Sequence, residues 1–253
     1  MIIIKSKREI ELISIACDKT RETLEYLEEF IKPGITTLEL DTLAEKYINK
    51  IGCIPALKNY EGYPSTICAS VNDAVVHGIP NKYKLKDGDI ISIDLSVSYK
   101  GYYGDMAKTY PVGNIDDKKK YLIEHTEKSL YKGIEQIKPH NRIGDISNAI
   151  EMYVKENGLG IVRELVGHGV GIKIHEDPNV PNYGKKGIGP LLKPGMIIAI
   201  EPMINLNGEE IYIEDDDWTI RTQDGSPSAH FEHTVLVTEE GYKILTKRWD
   251  IDE

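Results

Sequence analysis

Four carboxylates and three imidazoles of this chain sit where neither a surface nor a plain core calls for them. Asp94 interrupts a β-branched run, Ile91-Ser92-Ile93-Asp94-Leu95-Ser96-Val97, in which an unpartnered carboxylate is costly. Asp105 follows a turn near Lys100-Gly101, so the two acids belong to one β-hairpin. With Tyr99-Lys100 as a two-residue loop, Ser98 pairs with Gly101 and Asp94 faces Asp105, Cβ atoms about 5 Å apart. With Lys100-Gly101 as the loop, that pairing takes a bulge to restore. Opposed carboxylates require a cation between them or a shared proton. Glu201 ends a second apolar run, Met196-Ile197-Ile198-Ala199-Ile200, and Glu232 enters a third ahead of Val235-Leu236-Val237. Between them in sequence lies Gly167-His168-Gly169-Val170-Gly171-Ile172-Lys173-Ile174-His175, whose glycines allow close backbone approach and whose histidines are neutral donors or ligands. His77 precedes Gly78-Ile79-Pro80 in a similar setting.

Four acids and an imidazole suit two divalent cations with water or hydroxide between them, because the ionic charges then nearly cancel. A donor set of oxygen and nitrogen without thiolate fits Mn, Fe(II), Co or Zn. The glycine-rich loop lacks the spacing and lysine of a phosphate-binding loop. Taken singly, each residue has a plainer reading: Asp105 as the end of a strand, His77 and His175 as hydrogen-bonded histidines. His233, one residue beyond Glu232, belongs to the opposite strand face and is structural.

The elements that must carry these residues are legible from periodicity. Ser6 caps a helix from about Lys7 to Ile31, stopped by Pro33-Gly34, and Thr37 caps a second that ends at Gly52. Ser65 to Val71 reads as a strand. Asp116 or Asp117 opens a third helix, and a fourth runs from about Gly144 to Lys155. Ile31-Lys32-Pro33 returns as Ile137-Lys138-Pro139, an offset of 106, and the run ending at Asp94 returns as the run ending at Glu201, an offset of 107. The pattern predicts an α+β chain with a pseudo-two-fold duplicated helix-helix-strand unit around a central antiparallel sheet. A single catalytic domain is expected, with halves at about 1–112 and 113–253 and a site shared between them.

Composition narrows the class. The 253 residues carry a net charge of −10, which argues against a general nucleic-acid binder. Cys17, Cys53 and Cys68 have neither zinc-site nor disulfide-scaffold spacing, and with no secretory leader they predict reduced thiols in the cytoplasm. The opening Met1-Ile2-Ile3-Ile4 is too short to span or anchor in a membrane.

The set Asp94, Asp105, His168, Glu201 and Glu232, with His77-Gly78-Ile79-Pro80, the Gly167-to-His175 loop, Ile200-Glu201-Pro202 and Phe231-Glu232-His233-Thr234, resembles the methionine aminopeptidases. These are metallopeptidases of the pita-bread fold, and the resemblance covers nearly the whole chain. It implies that Asp94 chelates one of two divalent ions, that His168 and Glu201 hold the other, and that Asp105 and Glu232 bridge both. It further implies that Glu201 takes the proton of the bridging water, that His175 contacts the scissile carbonyl, and that His77 lies beside the substrate amide or amine. Tyr60, Tyr63, Cys68, Ile174 and Trp218 would surround the methionine side chain. The implied substrates are nascent polypeptides beginning with methionine. The ribosome is a candidate partner, the chain is expected to be a monomer, and neither membrane nor sequence-specific nucleic-acid contact is expected. Met106, Leu165 and Ile174 depart from the usual residues at their positions. The short step from His175 to Glu201 and the lack of a zinc-binding extension make the resemblance one to type I. The rivals are the related proline-specific peptidases, which carry an added N-terminal domain, and a non-catalytic binding protein, which would have lost metal ligands.

Overall fold

A computed structural model describes residues 1–248 of the chain. Its first half comprises α1 (Lys7–Glu28), α2 (Thr37–Lys50), β1 (Ile54–Pro55), β2 (Cys68–Val71), β3 (Ala74–Val76), β4 (Ile90–Tyr99) and β5 (Tyr102–Pro111). The second comprises α3 (Asp117–Ile134), α4 (Ile143–Glu156), β6 (Gly160–Ile161), β7 (Gly167–Gly169), β8 (Glu176–Val180), β9 (Ile197–Ile200) and β10 (Met203–Asn205). It continues through β11 (Ile211–Ile213), β12 (Ile220–Thr222), β13 (Ser228–His230), β14 (His233–Val237) and β15 (Tyr242–Ile244). No helix among the described residues is long and apolar enough to cross a membrane.

Among the described residues every strand pairing is antiparallel, and the strands fall into four groups rather than one continuous sheet. β4 carries β5 along one edge and β1 and β2 along the other, while β15-β14-β9-β7-β8 forms the largest group. The two largest of the four apolar clusters among the described residues lie beneath them. One gathers Leu24, Ile48 and Ile93 with α1, α2 and the first hairpin; the other gathers Ile134, Ile150 and Ile198 with α3 and α4. Each such buried Leu or Ile is worth roughly 1.5–3 kcal/mol relative to exposure.

The duplication extends to backbone detail. α2 and α4 have the same length, offset by 106 residues at both ends. The isolated bridge Thr36↔Lys84 has its counterpart in Arg142↔Leu191. The two units are joined where β5 meets β13 and β14. There the Glu232 N–H donates to the Ala107 carbonyl at 2.9 Å, and the Thr234 hydroxyl donates to the Asp105 carbonyl at 2.7 Å.

Two expectations change. α2 is capped by Thr36, not Thr37, because Glu39 lies three residues on and completes a capping box with it. The hairpin turns at Lys100-Gly101, with φ of 51° and 81°, the pair of positive values a type I′ turn needs. Tyr99 therefore pairs with Tyr102, and the ladder runs without a bulge to Ile90↔Pro111. Asp94 faces Ala107 and Asp105 faces Ser96, so the two acids are diagonal neighbours rather than directly opposed. Moving the loop by one residue shifts partners by two, and side chains alternate with period two, so both acids stay on one face.

Candidate metal centre

All seven residues singled out for chemistry line one cavity of about 280 Å³: His77, Asp94, Asp105, His168, His175, Glu201 and Glu232. β4 and β5 deliver the two aspartates, the end of β9 delivers Glu201, and the entry to β14 delivers Glu232. His168 comes from β7, whose flanking glycines allow its backbone to press between β8 and β9. A Cβ on Gly167 would meet the Ala199 carbonyl oxygen at 2.4 Å, and one on Gly169 would meet that of Asp177 at 2.3 Å.

One ligand atom each from Asp105, His168 and Glu232 lies within 4.8 Å of the others. His168 Nε2 is 3.3 Å from Glu201 Oε1 and 3.9 Å from Asp105 Oδ2. The His168 Nδ1–H donates to the Gly169 carbonyl at 2.9 Å, which fixes the tautomer that leaves Nε2 with a free lone pair. Buried Asp105 Oδ1 and Glu232 Oε1 have no hydrogen-bond partner among the described residues. Such orphaned acceptors beside an unprotonated imidazole fit a divalent cation.

The electrostatics agree. Burial, reinforced by Asp94 and Glu201, raises Asp105 well above the usual carboxylate range, and burial reinforced by Asp105 and Glu201 does the same to Glu232. Burial pushes Asp94 up to about 6 and Glu201 to about 7. Burial and mutual repulsion thus oppose ionisation of all four acids unless positive charge is added. Burial also lowers the histidines, His77 to about 4, so they face the cavity neutral. His77 holds φ at 57°, a left-handed conformation that a non-glycine residue keeps only when its surroundings impose it.

The side chains expected to surround a substrate flank the cavity rather than line it. The Tyr60 hydroxyl is 3.0 Å from His175 Nδ1. Tyr63 meets Trp218 edge to face at 5.2 Å, and Trp218 lies 6.4 Å from the His77 ring. Cys68 is buried opposite Asp94 in the β2–β4 ladder, and Ile174 is buried beside His175. His233 points away from the cavity to Tyr131 and Thr246. One residue was missed: His230 also lines the cavity, with Nε2 3.6 Å from Glu201 Oε2. The signal was available, because His230 and Glu232 are two residues apart and so share the face that His233 does not.

The model of metallopeptidase family M24 matches residues 11–239. A methionine aminopeptidase of Bacillus subtilis is 52% identical over 247 residues, covering 98% of this chain and all of that one. The chain belongs to metallopeptidase family M24. The crystal structure of methionine aminopeptidase from Rickettsia prowazekii superposes with a TM-score of 0.96 at 41% identity, over 98% of this M24 chain and 100% of that one. Prolidase from Pyrococcus furiosus superposes at 0.80 and 28% identity, and the match covers only 66% of its length. The fold is therefore the pita-bread fold, and the M24 chain is a hydrolase that binds divalent metal.

Proposed function

We infer that this chain removes the N-terminal methionine from polypeptides by hydrolysing the first peptide bond, as a type I enzyme with two divalent ions. The observation that carries the reading is the convergence of four acids and His168 Nε2 on one cavity, with Asp105 Oδ1 and Glu232 Oε1 left unpartnered. Asp94 would hold one ion, His168 and Glu201 the other, and Asp105 and Glu232 would lie between them. Mn, Fe, Co and Zn all suit this donor set. When bound, the ions supply Lewis-acid activation of water and polarise the substrate carbonyl.

The protein's own groups account for the rest. Glu201, whose carboxylate faces the cavity with Oε1 3.3 Å from His168 Nε2, would accept the proton of the attacking water. If the Tyr60 hydroxyl donates to His175 Nδ1, the ring proton sits on Nε2 and can be given to the carbonyl oxygen as negative charge develops. A neutral His77 does not repel a free α-ammonium group. Tyr60, Tyr63, Cys68, Ile174 and Trp218 supply an apolar slot with sulfur-aromatic contacts for a thioether.

The two apolar clusters, stitched together by Glu232–Ala107 and Thr234–Asp105, support a single catalytic domain with halves at about 1–112 and 113–253. Three buried free cysteines support a reducing, cytoplasmic setting. A monomeric state and ribosome contact complete the proposal, to be tested by sedimentation velocity and ribosome co-pelleting.

The deciding experiment is methionine release from Met-Gly and Met-Pro peptides, with metal content measured alongside. Exhaustive chelation should abolish release and Mn²⁺ or Co²⁺ restore it. Full activity in metal-free protein would sink the mechanism, and turnover of diverse X-Pro peptides would favour the proline-peptidase reading.

A further inference from the structure

His230 is 2% exposed, and neither of its ring nitrogens has a hydrogen-bond partner among the described residues. Its backbone is tightly held: the N–H donates to Thr109 Oγ1 at 2.8 Å, the carbonyl accepts from the same hydroxyl at 2.9 Å, and Met203 pairs with it in the β10–β13 ladder. Thr109 is itself 2.8 Å from the Ser92 hydroxyl, on the strand that carries Asp94. A ring mounted this firmly, buried and unpartnered, reaches into the cavity toward Glu201. The Glu201 carboxylate lies between two imidazoles, Oε1 toward His168 Nε2 at 3.3 Å and Oε2 toward His230 Nε2 at 3.6 Å.

The two imidazoles differ chemically. His168 spends its Nδ1–H on the Gly169 carbonyl and turns a lone pair toward the acids, whereas no such tie constrains His230. His230 can therefore present Nε2–H.

We propose that His230 is a positioning residue for Glu201. Its Nε2–H donates to Oε2, fixing the carboxylate so that Oε1 faces His168 and the metal centre. The inference rests on the metal-centre reading above. The 3.6 Å separation closes to a hydrogen bond in the working complex, where catalytic contacts of this kind tighten. Donors that orient a ligating carboxylate are worth about 10–100-fold in metal affinity or activity.

The test compares wild type, His230→Leu, His230→Gln and His230→Asn, each stripped by chelation and titrated calorimetrically with Mn²⁺. Glutamine can place an amide N–H near the imidazole Nε2 position; leucine cannot donate, and asparagine falls short. His230→Leu and His230→Asn should bind Mn²⁺ about 10–100-fold more weakly and lose kcat with KM little changed, while His230→Gln stays within about threefold of wild type. If His230→Leu does not fold, the Asn and Gln pair carries the comparison. Wild-type affinity in both Leu and Asn variants would overturn the proposal. So would a Gln variant as weak as Leu, which would make the imidazole itself a ligand. Failure of wild type to take up Mn²⁺ would instead remove the metal-centre reading, whatever the variants do.

Discussion

Lys5 and Glu176 form an ion pair whose side chains are 1% and 4% exposed, far from each other in sequence and next to His175. Glu176 Oε1 also accepts the backbone N–H groups of Ile172 and Lys173, at 2.7 and 2.9 Å, while Oε2 takes the lysine. The Lys5 N–H is tied to the Gly195 carbonyl at 2.9 Å, so the N-terminal segment clamps the loop that carries His175. Lys5→Met removes one charge and leaves the other buried. Breaking a buried pair in this way costs about 3–5 kcal/mol. At roughly 2–4 °C per kcal/mol for a chain of this size, the melting temperature should fall by about 6–20 °C. Glu176→Gln should be costly for the same reason, whereas the double variant Lys5→Met/Glu176→Gln should cost less than the two singles together. The assay is urea unfolding of all four proteins in chelator, so that metal linkage does not enter. Simple additivity, or a Lys5→Met cost below about 1 kcal/mol, would refute the view that this pair secures the His175 loop.

Three further outcomes are expected. His175→Ala should lower kcat by about two to three orders of magnitude with metal content unchanged, since removing an oxyanion donor costs that much; equal loss of metal would make it a ligand. In chelator, stability should fall as pH rises from about 4 through 7. Asp94 and Glu201 are raised by burial to about 6 and 7 in the folded chain, so the unfolded chain releases their protons first, and thermal melts across pH will show the slope or its absence. Asp105→Asn should leave the chelated protein as stable as wild type or more so, because burial already holds Asp105 toward its neutral form; with saturating Mn²⁺ the order should reverse.

What could be read from the sequence was set by local rules. Apolar alternation placed Asp94 and Asp105 on one hairpin, and the period of two kept them on one face even when the loop moved to Lys100-Gly101. The register itself was not legible, because nothing in the identity of Lys100 announces a φ of 51°; the ladder and the Gly101 turn impose it. Thr36 could have been chosen over Thr37 from the capping-box spacing to Glu39. Lys5–Glu176 could not have been found this way, since neither residue bears any local mark of the pairing and only the packing of residues 1–5 against the His175 loop creates it.

The duplication explains half of the site and leaves the other half to the seam. Asp94 and Glu201 occupy equivalent points, 107 residues apart, so one repeated strand pattern suffices to place an acid from each half. Asp105 and Glu232 do not share that offset. They meet because β5 lies against the segment joining β13 and β14, fixed by Glu232–Ala107, Thr234–Asp105 and Thr109–His230. Those contacts force buried acids together against their mutual repulsion, a conflict that the apolar clusters on either side must offset in the absence of metal. Such a violation of the usual rule for buried charge is expected at a functional centre. It also explains why His230 lies on the seam: the hydroxyl of Thr109 that holds its backbone belongs to the strand carrying Asp105, so the imidazole and the acids are positioned by the same hydrogen bonds.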